Sequence, residues 1–187
     1  MSSVNDPMSL KAYDRVTIAF HWLTVALVAF LLGTAWLWRY TPREWHLHRL
    51  EGLHMSFGIV FAVVVVARLL WRALAGRRLP AANSGLMDVA ARAVHWLLYA
   101  LLAVEAALGI FLGWLNDEGK LSFFGLFDIP NPFTPDRATG HALENLHDLT
   151  AWAIAILVVG HAGAALFHHY VLKDRLLNRM SPAGTAA

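Results

Sequence analysis

Four runs of this chain are apolar enough, over about 20 residues or more, to cross a lipid bilayer. Nothing else in the sequence constrains the fold as strongly. In hydrocarbon every backbone amide must be paired within its own segment, so each run is expected to be a helix. The predicted spans are 16–38, 52–71, 93–115 and 143–170. The first carries no charged residue. The second carries Arg68 near its end, where a long side chain can snorkel to the interface. The third contains one acid, Glu105, close to mid-membrane and without an evident partner. The fourth is the longest and rich in Ala and Gly. The first run is too long for the apolar region of a signal peptide, so it reads as an uncleaved span. The expected fold is all-α, a single four-helix transmembrane bundle over residues 1–187.

Composition agrees. Of 187 residues, 58% are apolar and only 15% charged, a balance rare in soluble domains. The absence of cysteine excludes covalently attached c-type heme, cysteine-ligated iron–sulfur clusters, disulfides and thiol catalysis. The basic pI reflects a modest arginine excess and does not call for nucleic acid. No phosphate-binding glycine loop, dinucleotide fingerprint or nucleophile elbow is present.

Basic residues set the expected orientation. Lys11, Arg15, Arg68, Arg72, Arg77, Arg78, Arg92, Lys173, Arg175 and Arg179 flank one side, against Arg39, Arg43, Arg49, Lys120 and Arg137 on the other. That bias places both termini in the cytoplasm. Trp36, Trp38, Trp45, Trp71, Trp96 and Trp114 fall near span ends, where interfacial aromatics belong. The third loop, 116–142, carries Pro130, Pro132 and Pro135 and is long enough to fold over the outer end of a bundle. The tail, 181–187, reads as disordered.

Four histidines lie inside these spans. His147 and His161 are fourteen residues apart in the fourth, almost four turns, so they share a face and stand roughly 21 Å apart along the axis. An imidazole in hydrocarbon is costly unless something binds it. With the expected orientation, His21 and His161 lie at the inner depth, and His54 and His147 at the outer one. Two facing pairs at two depths are what two six-coordinate hemes require. Gly52, Gly58, Gly160 and Gly163, with Ala162, Ala164 and Ala165, would let a macrocycle approach the backbone, or would simply permit helix packing, as expected for Gly109 and Gly113.

The remaining polar candidates are weaker signals. His168, two turns beyond His161, and the pair His95 and Tyr99 suit either a plain interfacial role or contact with a heme propionate or a quinone. Arg15, Arg72 and Lys173 are placed to neutralise inner propionates, with Arg49 and Arg137 as outer candidates. His46, His48 and His141 read as solvated loop residues, and a zinc site on His46 and His48 would need ligands the sequence does not supply.

The chain resembles the prokaryotic cytochrome b561 family from Tyr13 to Met180. The most specific stretches are YDRVTIAFHWL around His21, GLHMSFGIVF with ARLLWR around His54, and LHDLTAW with VGHAGAALFHHYVLKDRLLNRM at the end. The resemblance implies a bacterial inner-membrane protein in which His21, His54, His147 and His161 ligate two heme b groups. It also implies superoxide oxidation to oxygen at the outer heme and reduction of ubiquinone in the membrane. Two departures stand out. Glu105 occupies a position where many relatives have proline, and the outer loops balance their cations with Glu44, Glu51, Asp117, Glu118, Asp128, Asp136 and Glu144. A site that steers an anion should present positive potential.

Three functions are therefore weighed. The first is a self-sufficient superoxide:ubiquinone oxidoreductase, which requires no partner protein beyond membrane lipid and quinone. The second is a diheme anchor passing electrons between quinone and a partner dehydrogenase or hydrogenase. The third is a heme-free, histidine-lined metal transporter.

Overall fold

The computed structural model describes residues 12–42, 48–80, 85–115, 121–134, 136–174 and 176–181. Four long helices form the body: α1 (Arg15–Tyr40), α2 (His48–Leu74), α3 (Gly85–Leu115) and α4 (Arg137–Phe167). Each contains a window hydrophobic enough to cross a membrane. All four begin before their predicted spans, because the polar turns preceding an apolar core remain helical when their ends are capped or paired. At the start of α3, Asp88 and Arg92 pair at 2.7 Å one turn apart. At the start of α4, Asp136 accepts from the backbone N–H groups of Ala138 and Thr139 and from the Thr139 hydroxyl. Those Thr139 bonds hold the exposed Asp136 carboxyl below its ordinary range.

α1 is capped by Asp14, which accepts from Thr17 N at 2.8 Å, Thr17 Oγ1 at 2.7 Å, Trp71 Nε1 at 3.1 Å and Arg77 N at 3.0 Å. One carboxylate thus ties the start of α1 to the end of α2 and the following turn. Partial burial acts to raise its pKa, but the hydrogen bonds from Thr17, Arg77 and Trp71 outweigh that and hold it at about 2.

Backbone packing runs α1 on α2, α2 on α3 and α3 on α4. α4 meets α1 mainly through side chains: His21 with His161, Trp36 with Trp152, and Arg39 with Asp148. A middle layer of Leu27, Val28, Phe61, Val64, Val65, Leu102 and Ile154 forms the buried core of the bundle. Outside, Val63, Leu149, Ile156 and Val159 are each about two-thirds or more exposed (65%, 67%, 69% and 73%). Such a surface is stable against lipid rather than water.

The third loop holds a structure that the sequence reading did not foresee. Residues 121–129 form a two-stranded antiparallel hairpin, β1 (Leu121–Phe123) and β2 (Phe127–Ile129), with Phe124 and Gly125 at positive φ in its turn. It packs on the end of α2 and α3. Leu121 is buried, and Ser56 Oγ accepts from Phe124 N at 2.9 Å. Gly113 permits this docking, since a Cβ there would sit 2.7 Å from Leu121 Cδ1. At the opposite end α4 passes into a π-helical turn, His168–Leu172, and ends at Lys173 in the left-handed region (φ 56°).

Candidate functional site

The bundle brings the four span histidines together as two facing pairs. His21 of α1 and His161 of α4 have ring centroids 6.4 Å apart, and so do His54 of α2 and His147 of α4. With a metal–nitrogen bond of about 2 Å and a ring nitrogen about 1.1 Å from its centre, imidazoles on opposite sides of one metal ion have centroids about 6.2 Å apart. Both pairs have that separation. The buried middle layer lies between them, with Ile154 halfway along α4 from His147 to His161.

The pair at the hairpin end is the more enclosed. His54 Nδ1 lies 3.1 Å from the Leu31 carbonyl and 3.2 Å from Thr34 Oγ1. A carbonyl only accepts, so Nδ1 carries the proton and Nε2 keeps its lone pair. His147 Nδ1 lies 3.3 Å from Glu105 Oε1. A cavity of about 840 Å³ surrounds both rings, lined by Leu31, Trp36, Trp38, Gly58, Phe61, Leu102, Gly109 and Trp152 among others. That volume and apolar lining suit a ligand of several rings. Its rim carries Arg39, Glu51, Glu144 and Asp148.

The glycines separate into two groups. A Cβ on Gly113 would strike Leu121, and one on Gly109 would touch the His147 ring at 3.4 Å. Gly113 is a packing glycine, whereas Gly109 makes room for an imidazole. At Gly52, Gly58, Gly160 and Gly163 an added Cβ meets nothing within 4 Å. Of these, Gly58 lines the cavity, whereas Gly52, Gly160 and Gly163 are exposed.

Around the other pair the neighbours differ in charge. Arg68 does not snorkel away as expected. Its Nη2 lies 3.4 Å from His21 Nδ1, and its guanidinium sits over the Tyr99 ring at 5.2 Å from the centroid. The aromatic face and the imidazole nitrogen give the cation partners inside the bundle, which removes the drive to reach the interface. His95 packs edge-on against His161 with centroids 5.3 Å apart. The sequence reading offered His95 and Tyr99 as interfacial residues or propionate or quinone contacts without assigning them to either pair, and it missed Arg68, whose one-helix-turn offset from Arg72 was the available signal.

Other candidates fall elsewhere. His168 is buried, and its Nδ1 bonds to Asp174, which the left-handed Lys173 folds back toward it. Slight burial opposes, but the bonds from His168 and Leu176 N outweigh it and keep the Asp174 carboxyl below its ordinary range. Arg72 donates to the Arg77 carbonyl at 3.1 Å, Arg15 begins α1 on an exposed face, and Lys173 is exposed. His141 is exposed beside Glu144 at 3.4 Å. Lys11, Arg43, His46, Trp45, Lys120, Arg175, the side chain of His48 and the tail 182–187 lie outside the described residues.

Residues 12–183 match the family described as prokaryotic cytochrome b561. The chain belongs to that family. It is 34% identical over 184 residues to cytochrome b561 homolog 2 of Escherichia coli K12, covering 96% of this chain and 95% of that protein. It is 30% identical over 176 residues to cytochrome b561 homolog 1 of the same organism, covering 92% and 98%. To the probable superoxide oxidase CybB of Yersinia pestis it is 30% identical over 175 residues, covering 92% and 97%. This cytochrome b561 relative is thus a multi-pass protein of the bacterial inner membrane and a membrane electron carrier of the b561 type. Heme b is typical of such proteins, and the residues present fit it. Two imidazole pairs stand at the separation of axial ligands, and one pair opens into an apolar cavity bordered by Gly58.

Proposed function

We propose that this protein is a diheme b-type cytochrome that carries electrons across the inner membrane, from superoxide on the periplasmic side to ubiquinone. The observation that carries this reading is the pair of imidazole couples at 6.4 Å, one on each side of a buried apolar layer. His54 and His147 would hold the outer heme, and His21 and His161 the inner one. When bound by these imidazole pairs, each heme would supply reversible one-electron exchange. The histidines and acids form pairs rather than three-ligand clusters among the described residues, an arrangement suited to a metal whose other positions a macrocycle fills.

The chain's own residues do the rest. The Leu31 carbonyl and Thr34 hold the His54 ring through Nδ1, leaving its Nε2 lone pair available to iron. Trp36, Trp38 and Trp152 give the cavity an aromatic wall. Arg68, with a cationic head beside His21, is placed to neutralise a propionate, and Arg15, Arg72 and Lys173 add positive charge at the same end. His95, Tyr99 and His168 are the polar groups there for a quinone. The excess of cations at that end supports placing both termini in the cytoplasm. Two superoxide anions each losing one electron, with two protons, reduce one quinone. The name of the Yersinia relative supports superoxide as the donor.

A second reading draws on the cavity rim, where Glu51, Glu144 and Asp148 outnumber Arg39. Such a rim favours a cationic or neutral donor, as in an anchor that takes electrons from a partner dehydrogenase or hydrogenase. Mixing purified protein with a superoxide generator and ubiquinone separates the two. Reduction of the b bands followed by quinol formation is expected. Bands that stay oxidised under superoxide, yet are reduced by quinol, assign the anchor role instead.

A further inference from the structure

The acid in the third span has a partner. Glu105 Oε1 lies 3.3 Å from His147 Nδ1, across the packed α3–α4 face. Both side chains are largely withdrawn from solvent, 13% and 20% exposed. The contact is one of proximity rather than a formed hydrogen bond: His147 Nδ1 and Glu105 Oε2 are both buried without a hydrogen-bond partner. Buried polar atoms left unpaired are costly, and a small rotation of the Glu105 side chain, whose carboxyl also meets Thr150, would let it accept from His147 Nδ1. The His147 ring packs directly against Gly109, one turn after Glu105 on α3, where a Cβ would lie 3.4 Å from His147 Cε1.

The two imidazole pairs therefore have opposite surroundings. At the hairpin end His54 Nδ1 bonds the Leu31 carbonyl at 3.1 Å, and His147 Nδ1 lies 3.3 Å from a Glu105 carboxyl oxygen. At the other end His21 Nδ1 faces the Arg68 guanidinium at 3.4 Å. An acceptor on the far nitrogen of a ligating imidazole makes it a stronger electron donor and favours the oxidised metal, while a nearby cation favours the reduced one.

We propose that Glu105 is a positioning residue for His147, holding the ring with Nε2 toward His54, and that its carboxylate together with Arg68 sets the order of the two reduction potentials. The centre held by His54 and His147 has the lower potential, and the one held by His21 and His161 the higher. Electrons arriving at the hairpin end then run downhill toward the Arg68 end. This rests on the reading of the four histidines as heme ligands.

The test is an optical redox titration of the purified full-length protein with its hemes, alongside Glu105→Gln, which keeps the shape and removes the charge. One midpoint should rise, with the reduced-to-oxidised ratio at fixed ambient potential growing about tenfold, ~59 mV for one electron, and the other should stay in place. The heme that moves should be the one absent from His147→Ala, and its low-spin ferric EPR signal should change with it. If Glu105→Gln does not accumulate, Glu105→Asp, whose shorter side chain draws the carboxylate back, should shift the same midpoint in the same direction by less. Two retained hemes with unchanged potentials in either variant overturn the proposal, as does a shift confined to the heme lost in His161→Ala. A wild-type protein without two hemes instead overturns the ligand reading beneath it.

Discussion

Removing single histidines and then pairs of them tests the arrangement of the site most directly. Each pair has its centroids at 6.4 Å, so each is expected to clamp one heme, and losing either member should empty that position. His54→Ala should therefore halve the heme content measured by the pyridine hemochrome assay, and His54→Ala/His147→Ala should lower it no further. His54→Ala/His161→Ala should abolish it. That pattern of non-additivity within a pair and additivity between pairs is the signature of two independent sites. The two members of the hairpin-end pair should also differ in stability. His54→Ala leaves Thr34 bonded to the Phe30 and Leu31 carbonyls at 3.0 Å, so no buried hydroxyl is stranded. His147→Ala removes the imidazole 3.3 Å from the largely buried Glu105 carboxyl and leaves that acid with Thr150 alone, at a cost of about 1 kcal/mol beyond the lost heme. Thermal unfolding in detergent should therefore place His147→Ala below His54→Ala, and His147→Ala/Glu105→Gln should recover much of the gap. If His54→Ala and His21→Ala remove the same spectral species, or the hairpin-end double variant loses both hemes, the pairing is wrong.

Other perturbations separate packing from function. Gly113→Ala should cost about 1–3 kcal/mol by driving a methyl into Leu121 and loosening the hairpin, whereas Gly58→Ala, which meets nothing within 4 Å, should leave the fold's stability unchanged. Both are read by thermal unfolding of the heme-free protein. Asp14→Ala should lower stability by about 1 kcal/mol through loss of the α1 cap. Folding depresses this carboxyl from 3.8 to about 2, so its contribution is complete above about pH 4 and disappears as pH falls toward 2. Acid unfolding of Asp14→Ala should accordingly lack that component. Arg39→Gln should change stability by less than about 1 kcal/mol, because its ion pair with Asp148 is exposed. A larger loss would show that this pair bolts α1 to α4.

The membrane helices were legible because hydrocarbon leaves the backbone no other choice: a long uncharged run such as 16–38 must pair its own amides. The histidine depths were legible for a related reason, since helical rise alone separates His147 from His161 by four turns. Helix ends were less so. Caps such as Asp136 and pairs such as Asp88 with Arg92 continue helices into segments that hydropathy cannot read. The hairpin at 121–129 escaped notice because its strands are three residues long and depend on docking to Ser56 and Gly113.

From the sequence alone came four helices, four imidazoles inside them, and the family, because these depend on composition and on spacing along one segment. Only the tertiary structure decided what stands beside each imidazole. Glu105 had no visible partner and Arg68 read as a residue reaching for the interface, until the packing of α3 on α4 and of α1 on α2 set one against His147 and the other against His21. Contacts between helices depend on rotation about each axis and on which pairs lie adjacent, and neither is written in the periodicity of any single span.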